Sequence, residues 1–205
     1  MPPTADEIIK LLSLDPHPEG GFFRETFHDE PILPTSPLDT ISGTLSSNAP
    51  TALHNRAAST LIYYLLPYPH FSSLHRIDAA EGWHYYTGTI ALEVVELDPP
   101  ILSAEGSVTG SATGKSAQPL RVTRLGVDFA SGERPQYVVQ KGKWFGARLP
   151  KEAKEGDWVL VGCSVAPGFV FEGGFEMGRR DVLEREFQGV GNEEVANVIR
   201  EMCRE

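Results

Sequence analysis

The chain has 205 residues, 40% of them hydrophobic, and a formal net charge of −10. That length suits one domain, residues 1–205, with a sizeable core. The acidic balance excludes the basic surface that nucleic acid or anionic membrane would require.

Glycine (20) and proline (16) are plentiful, so short elements and many turns are expected. Thr4 with Glu7 reads as a capping box ahead of a first helix carrying Ile8, Leu11 and Leu12. "LDPHPEGG" breaks that helix, and "GFFRETF" reads as a strand. Residues 29–58 are loop-like and rich in Pro, Ser, Thr, Asp and Asn. Short β-type runs follow: "STLIYYLL", "SSLHRI", "WHYYTG" and "TIALEVVEL". Residues 98–120 are rich in Gly, Ser and Ala and read as an insertion between two strands. "RVTRLGV", "QYVVQ", "KWFGARL", "DWVLVGCSV" and "FVFEGGFEM" read as further strands. A last helix has Asn192 as its N-cap, with Val195, Val198, Ile199 and Met202 spaced as one apolar stripe. Many short strands with a helix at each end predict an all-β sandwich or barrel holding a ligand in its mouth.

No apolar run approaches the roughly 20 residues of a membrane span. "MPPTADEIIK" lacks the basic and then apolar order of a signal peptide. A cytoplasmic location follows as the expectation, with Cys163 and Cys203 as free thiols.

The densest chemistry lies in "SSLHRIDAAEGWHYYTG", which holds His75, Glu81 and His84. Two imidazoles and a carboxylate can bind a transition metal. A zincin motif is excluded, because position 80 is Ala80 and the run is strand-like. Alternation puts Trp83 and Tyr85 on one face and His84 and Tyr86 on the other. If the interior receives His84, His75 on the preceding strand can stand across from it. The plainer alternative is a histidine packed among aromatics and bonded to a backbone carbonyl.

Two further stretches carry polar groups. "HPEGGFFRE" offers His17, Glu19, Arg24 and Glu25, and Arg24 could clamp a carboxylate or phosphate. "SVAPGFVFE" offers Glu172 beside aromatics that would fill a barrel end. Cys163 reads as a small core residue. "GSVTGSATGKS" is not a phosphate loop, because Thr109 stands where the first glycine belongs.

"LDPHPEGGFFRETF", "LHRIDAAEGWHYYTG", "ERPQYVV" and "GCSVAPGFVFE" occur in this order, and together they resemble the Cupin_5-like (DUF985) branch of the cupin superfamily. The resemblance implies a jelly-roll β-barrel (a double-stranded β-helix) with short terminal helices, commonly a homodimer, and no settled reaction. In the wider superfamily a metal sits on two motifs. His75, Glu81 and Gly88 match the first, but Ile77 holds its second histidine position and Phe145 holds the histidine position of the other motif.

The leading expectation is a cupin that binds a sugar-like or carboxylated metabolite. It would carry out metal-independent, isomerase- or epimerase-type acid–base chemistry through His75, Glu81, His84 and Tyr86. Arg24, Tyr64, Trp144, Phe145 and Glu172 would contact the ligand. A rival is a metal-dependent dioxygenase or isomerase with a divalent ion on His75, Glu81 and His84. A third is a non-catalytic ligand-binding or scaffold dimer. No nucleic acid or membrane partner is expected.

Overall fold

The computed structural model describes residues 3–30, 56–98, 119–188 and 193–203. The expected Asn192 cap, and nearly all of the insertions at 29–58 and 98–120, lie outside the described residues. Helix α1 (Ala5–Leu12) begins with the anticipated capping box. The Glu7 amide donates to Thr4 Oγ1, and Glu7 accepts the Thr4 amide at 2.7 Å.

Eleven strands follow among the described residues: β1 (Asp15–Pro16), β2 (Phe22–His28), β3 (Thr60–Pro67), β4 (Phe71–Ile77), β5 (Ala80–Gly88), β6 (Leu92–Leu97), β7 (Leu120–Leu125), β8 (Gln136–Val139), β9 (Trp144–Arg148), β10 (Trp158–Ala166) and β11 (Phe175–Met177). They form two antiparallel sheets, ordered β1-β2-β3-β10-β5-β8 and β11-β4-β9-β6-β7. From β3 to β6, and again from β8 to β11, successive strands alternate between the sheets. The all-β jelly-roll expectation therefore holds.

Alternation sorts each strand into an inner and an outer face. On the six-stranded sheet Ile62, Tyr64, Trp83, Val161, Cys163 and Val165 face the core between the sheets. Leu65, Trp158 and Leu160 face outward beneath Ile8 of α1. β10 is buried from Trp158 to Cys163 because both of its faces are covered over that stretch. The outer face of the five-stranded sheet (Leu74, Val95, Leu97, Trp144) is covered by helices α2 (Arg180–Glu186) and α3 (Glu193–Met202). The predicted stripe Val195, Val198, Ile199 and Met202 is the buried side of α3.

Two local expectations are corrected. Helix α2 was not foreseen, because "RDVLERE" is short and its N-cap, Arg179, makes no side-chain capping bond. "FVFEGGFEM" forms a strand only over Phe175–Met177. Before it the chain turns, with Gly173 in the left-handed region, and Phe169 and Phe171 close one end of the barrel.

Candidate functional site

The site is built around the turn His17–Gly21 between β1 and β2. The His17 amide donates to Gly21 O and the Gly20 amide to His17 O, both at 3.0 Å. Gly20 and Gly21 have φ of 118° and 68°, which favour glycine. A Cβ on Gly21 would lie 2.7 Å from Leu65 O, so only glycine lets the turn press this closely on β3.

That turn inserts Glu19 into the interior, where it is buried. The Ser73 amide and hydroxyl donate to Glu19 O at 2.9 and 3.0 Å, and Ser72 Oγ donates to Glu19 Oε2 at 3.1 Å. β4 shifts register on β9 between Ser72 and His75, and both serines reach Glu19. Tyr64 Oη donates to Gly20 O at 2.7 Å and fixes the turn from β3. The Glu19 amide donates to His17 Nδ1 at 3.2 Å, so neutral His17 carries its proton on Nε2.

Glu81 enters the same interior from β5, paired in register with Val165 of β10. Its pKa is pushed up to about 8, first by burial and then by the charge of Glu19, with a partial offset from the Cys163 thiol that donates to it. Glu81 is therefore mostly protonated at neutral pH. Burial also pushes the Tyr64 hydroxyl and the Cys163 thiol well above their ordinary values.

Glu19, Glu81 and Tyr64 line a cavity of about 180 Å³. His17, Phe23, Glu25, Thr60, Ile62, Trp83, Cys163 and the Val165 and Phe169–Phe171 side chains complete its wall. No Lys or Arg is among these lining residues. Trp83 is almost fully buried, and its Nε1–H has no hydrogen-bond partner among the described residues.

Several expected site residues lie elsewhere. Glu81, Trp83 and Tyr85 take the inner face of β5, which puts His84 and Tyr86 outside. Gln136 Nε2 donates to His84 Nδ1 at 3.0 Å, and His84 Nε2 donates to Ser164 Oγ at 2.9 Å. Tyr86 is 49% exposed and packs edge-on against Tyr63. Arg24 is exposed and donates to Leu12 O at the end of α1. Trp144 faces the helices, with its Nε1–H on Glu186 and the Arg76 guanidinium 4.5 Å over its ring. Glu172 is exposed and Phe145 is core; neither lines the cavity.

His75 is inside but behind the wall. Its Nδ1–H donates to Ser73 O at 2.8 Å, and Nδ1 lies 3.4 Å from Glu19 Oε2. Its ring packs on Phe145 and Phe175. Burial lowers its pKa to about 4, against a small opposing effect of the bond to Ser73, so the ring is neutral despite the nearby carboxylate. Glu19 and His17 were singled out in "HPEGGFFRE", but their convergence on Glu81 was not foreseen. The only local signal was the glycine pair that allows the tight turn.

Two antiparallel sheets with alternating strands, enclosing a cavity of about 180 Å³, define a double-sheet β-barrel fold. A family model described as "Cupin superfamily (DUF985)", Cupin_5, matches residues 6–178. The chain belongs to that family. An X-ray structure of a Shewanella oneidensis protein is 29% identical, with 99% of each chain covered and a TM-score of 0.69. A hypothetical protein from Leishmania major is 26% identical, covering 99% of this chain and 100% of that one, with a TM-score of 0.73. A cupin 2 conserved barrel domain protein from Rhodopseudomonas palustris is 11% identical over 68% of this chain and 69% of its own, with a TM-score of 0.41. Comparison with curated proteins finds no match.

The metal of the wider superfamily can be tested against these side chains. His84 lies outside the barrel, so His75, Glu81 and His84 do not converge. Ile77 and Phe145, at the two remaining ligand positions, are buried and apolar, and the Phe145 ring centroid lies 4.2 Å from that of His75. Among the described residues no group of three or more His, Cys, Asp or Glu is arranged to hold an ion. The donor set does not fit a transition metal, which usually takes about three protein ligands. No helix among the described residues is long and apolar enough to cross a membrane.

Proposed function

We propose that the cavity binds a small metabolite without negative charge and moves a proton on it, with Glu81 as the acid and Glu19 as the base. Two carboxyl groups in one site divide acid and base work between them when only one of them holds a proton. In a hydroxy-carbonyl substrate, Glu19 takes the proton from the carbon beside the carbonyl while Glu81 gives its proton to the carbonyl oxygen. Return of a proton to carbon, with loss of one from oxygen, completes an isomerisation or epimerisation.

The observation that carries this reading is the pair of buried carboxyls in one aromatic-walled cavity, with Glu81 protonated at neutral pH. The volume bounds the ligand, because a cavity of ~150 Å³ holds a benzene-sized molecule. The lining disfavours the carboxylated metabolites expected earlier, because it presents carboxyls and no cation. The base is moved from His75 and His84 to Glu19 because one histidine is buried behind the wall and the other lies outside.

A panel of small hydroxy-carbonyl compounds incubated with the protein in heavy water tests this. Wild-type protein is expected to exchange a carbon-bound proton in at least one compound, read by NMR. Glu81→Gln and Glu19→Gln should each slow that exchange ~100-fold or more. Exchange at the wild-type rate in both variants, or in no compound at all, would refute the assignment.

A further inference from the structure

We propose that the ligand of this cavity is an organic cation, a small substituted ammonium. The inference rests on the reading above that the cavity is the ligand site, and it adds the charge class of the ligand. Aromatic rings wall the cavity from separate segments: Phe23 on β2, Tyr64 on β3, Trp83 on β5, and Phe169 and Phe171 after β10. Tyr64 meets Trp83 at 83° and Phe169 meets Phe171 at 88°, so neighbouring rings turn corners instead of stacking flat.

Aromatic walls attract cations through the negative faces of their rings, and substituted ammonium ions are the ligands such enclosures recognise. Carboxyls at the same wall supply a counter-charge. Glu19 is buried there and Glu25 stands near the rim. An anion would meet carboxylates and no Lys or Arg. A polyol would need many hydrogen-bond partners, and these walls are largely hydrocarbon.

Calorimetric titration with three probes of nearly the same shape tests the charge class directly. They are choline, its neutral carbon analogue 3,3-dimethylbutan-1-ol, and the anion 3,3-dimethylbutanoate. Choline should bind at least tenfold more tightly than the neutral analogue, and the anion should not bind. Phe171 is half exposed, so Phe171→Leu keeps the fold and the bulk while removing a ring face. It should weaken choline severalfold and leave the neutral analogue unchanged. Glu19→Gln should weaken choline about tenfold.

Equal or tighter binding of the neutral analogue overturns the cation assignment. So does a Phe171→Leu effect of equal size on both probes. In either case the proton-transfer assignment stands if heavy-water exchange persists. Binding of no probe overturns the cation assignment, and absence of exchange as well removes both.

Discussion

At the scale of single residues, one step along β5 separates the interior from the exterior. Glu81 and Trp83 face the cavity, and His84 faces Ser164 and Gln136 on the outside of the sheet. His84→Ala is therefore expected to leave ligand binding and proton exchange at wild-type levels, with stability changed by less than ~1 kcal/mol. His75→Ala should behave differently. The ring is buried against Phe145 and Phe175, and removing it leaves a hole worth about 2–4 kcal/mol. Urea denaturation of the two variants checks both outcomes, and a His75→Ala protein as stable as wild type would contradict the packing. The sequence showed that Trp83 and His84 occupy opposite faces but not which one faces inward. The histidine's chemistry suggested the interior, and the bulk of Trp83 decided otherwise, because burying a large ring gains more than burying an imidazole. Glu81 was legible as a candidate from its sequence setting. Its protonated state was not, because that depends first on burial and then on Glu19, which lies far away in the chain and is brought close only by folding.

At the scale of elements, the mouth of the cavity depends on a clasp among three loops. Arg56, just before β3, donates to both carboxylate oxygens of Asp78 at 2.7 and 2.8 Å and, through Nε, to Gly168 O. Asp78 lies between β4 and β5, and Gly168 opens the segment whose Phe169–Phe171 side chains line the cavity. The Arg56 side chain is 4% exposed and that of Asp78 is 37% exposed, so the solvent-facing aspartate reduces the strength of the pair. Arg56→Ala nevertheless removes a bidentate partner and leaves a carbonyl without its donor. A loss of about 2–3 kcal/mol in urea denaturation is expected, together with weaker ligand binding as the aromatic segment loosens. Asp78→Asn should cost about half as much, because Gly168 keeps its donor. If Arg56→Ala weakens stability but leaves every ligand affinity unchanged, the clasp does not shape the mouth. Strand order along the chain was readable from alternation and turn residues, since those signals are local. The clasp was not, because Arg56 stands in a polar run with no periodicity and its partners are separated from it by whole strands.

At the scale of the molecule, buried Glu81 and His75 titrate in opposite senses on folding. Glu81 goes from an ordinary value of 4.5 to about 8 on folding, so the folded state holds a proton that the unfolded chain releases between those values. Stability falls with rising pH across that window by roughly 1.4 kcal/mol per unit. His75 goes from 6.5 to about 4, so the unfolded chain holds a proton that the folded state refuses between those values. Its contribution rises with pH across that window at the same slope. Between pH 4.5 and 6.5 the two slopes cancel, and these groups leave stability flat. Above pH 6.5 His75 is neutral in both states, Glu81 acts alone, and about 2 kcal/mol should be lost by pH 8. Glu81→Gln cannot ionise, so it should abolish that decline and, with nothing left to cancel His75, make stability rise from pH 4 to 6.5. Thermal melts at half-unit steps from pH 4 to 9 check this. An alkaline decline of undiminished slope in Glu81→Gln would place the responsible group elsewhere. A cation held in the cavity should also flatten the decline in the wild-type protein, because it stabilises ionised Glu81 in the folded state and lowers its pKa toward the unfolded value. A neutral ligand of the same shape leaves the slope as it was. The same melts repeated with choline and with its carbon analogue therefore report, from stability alone, whether the charge of the ligand reaches Glu81.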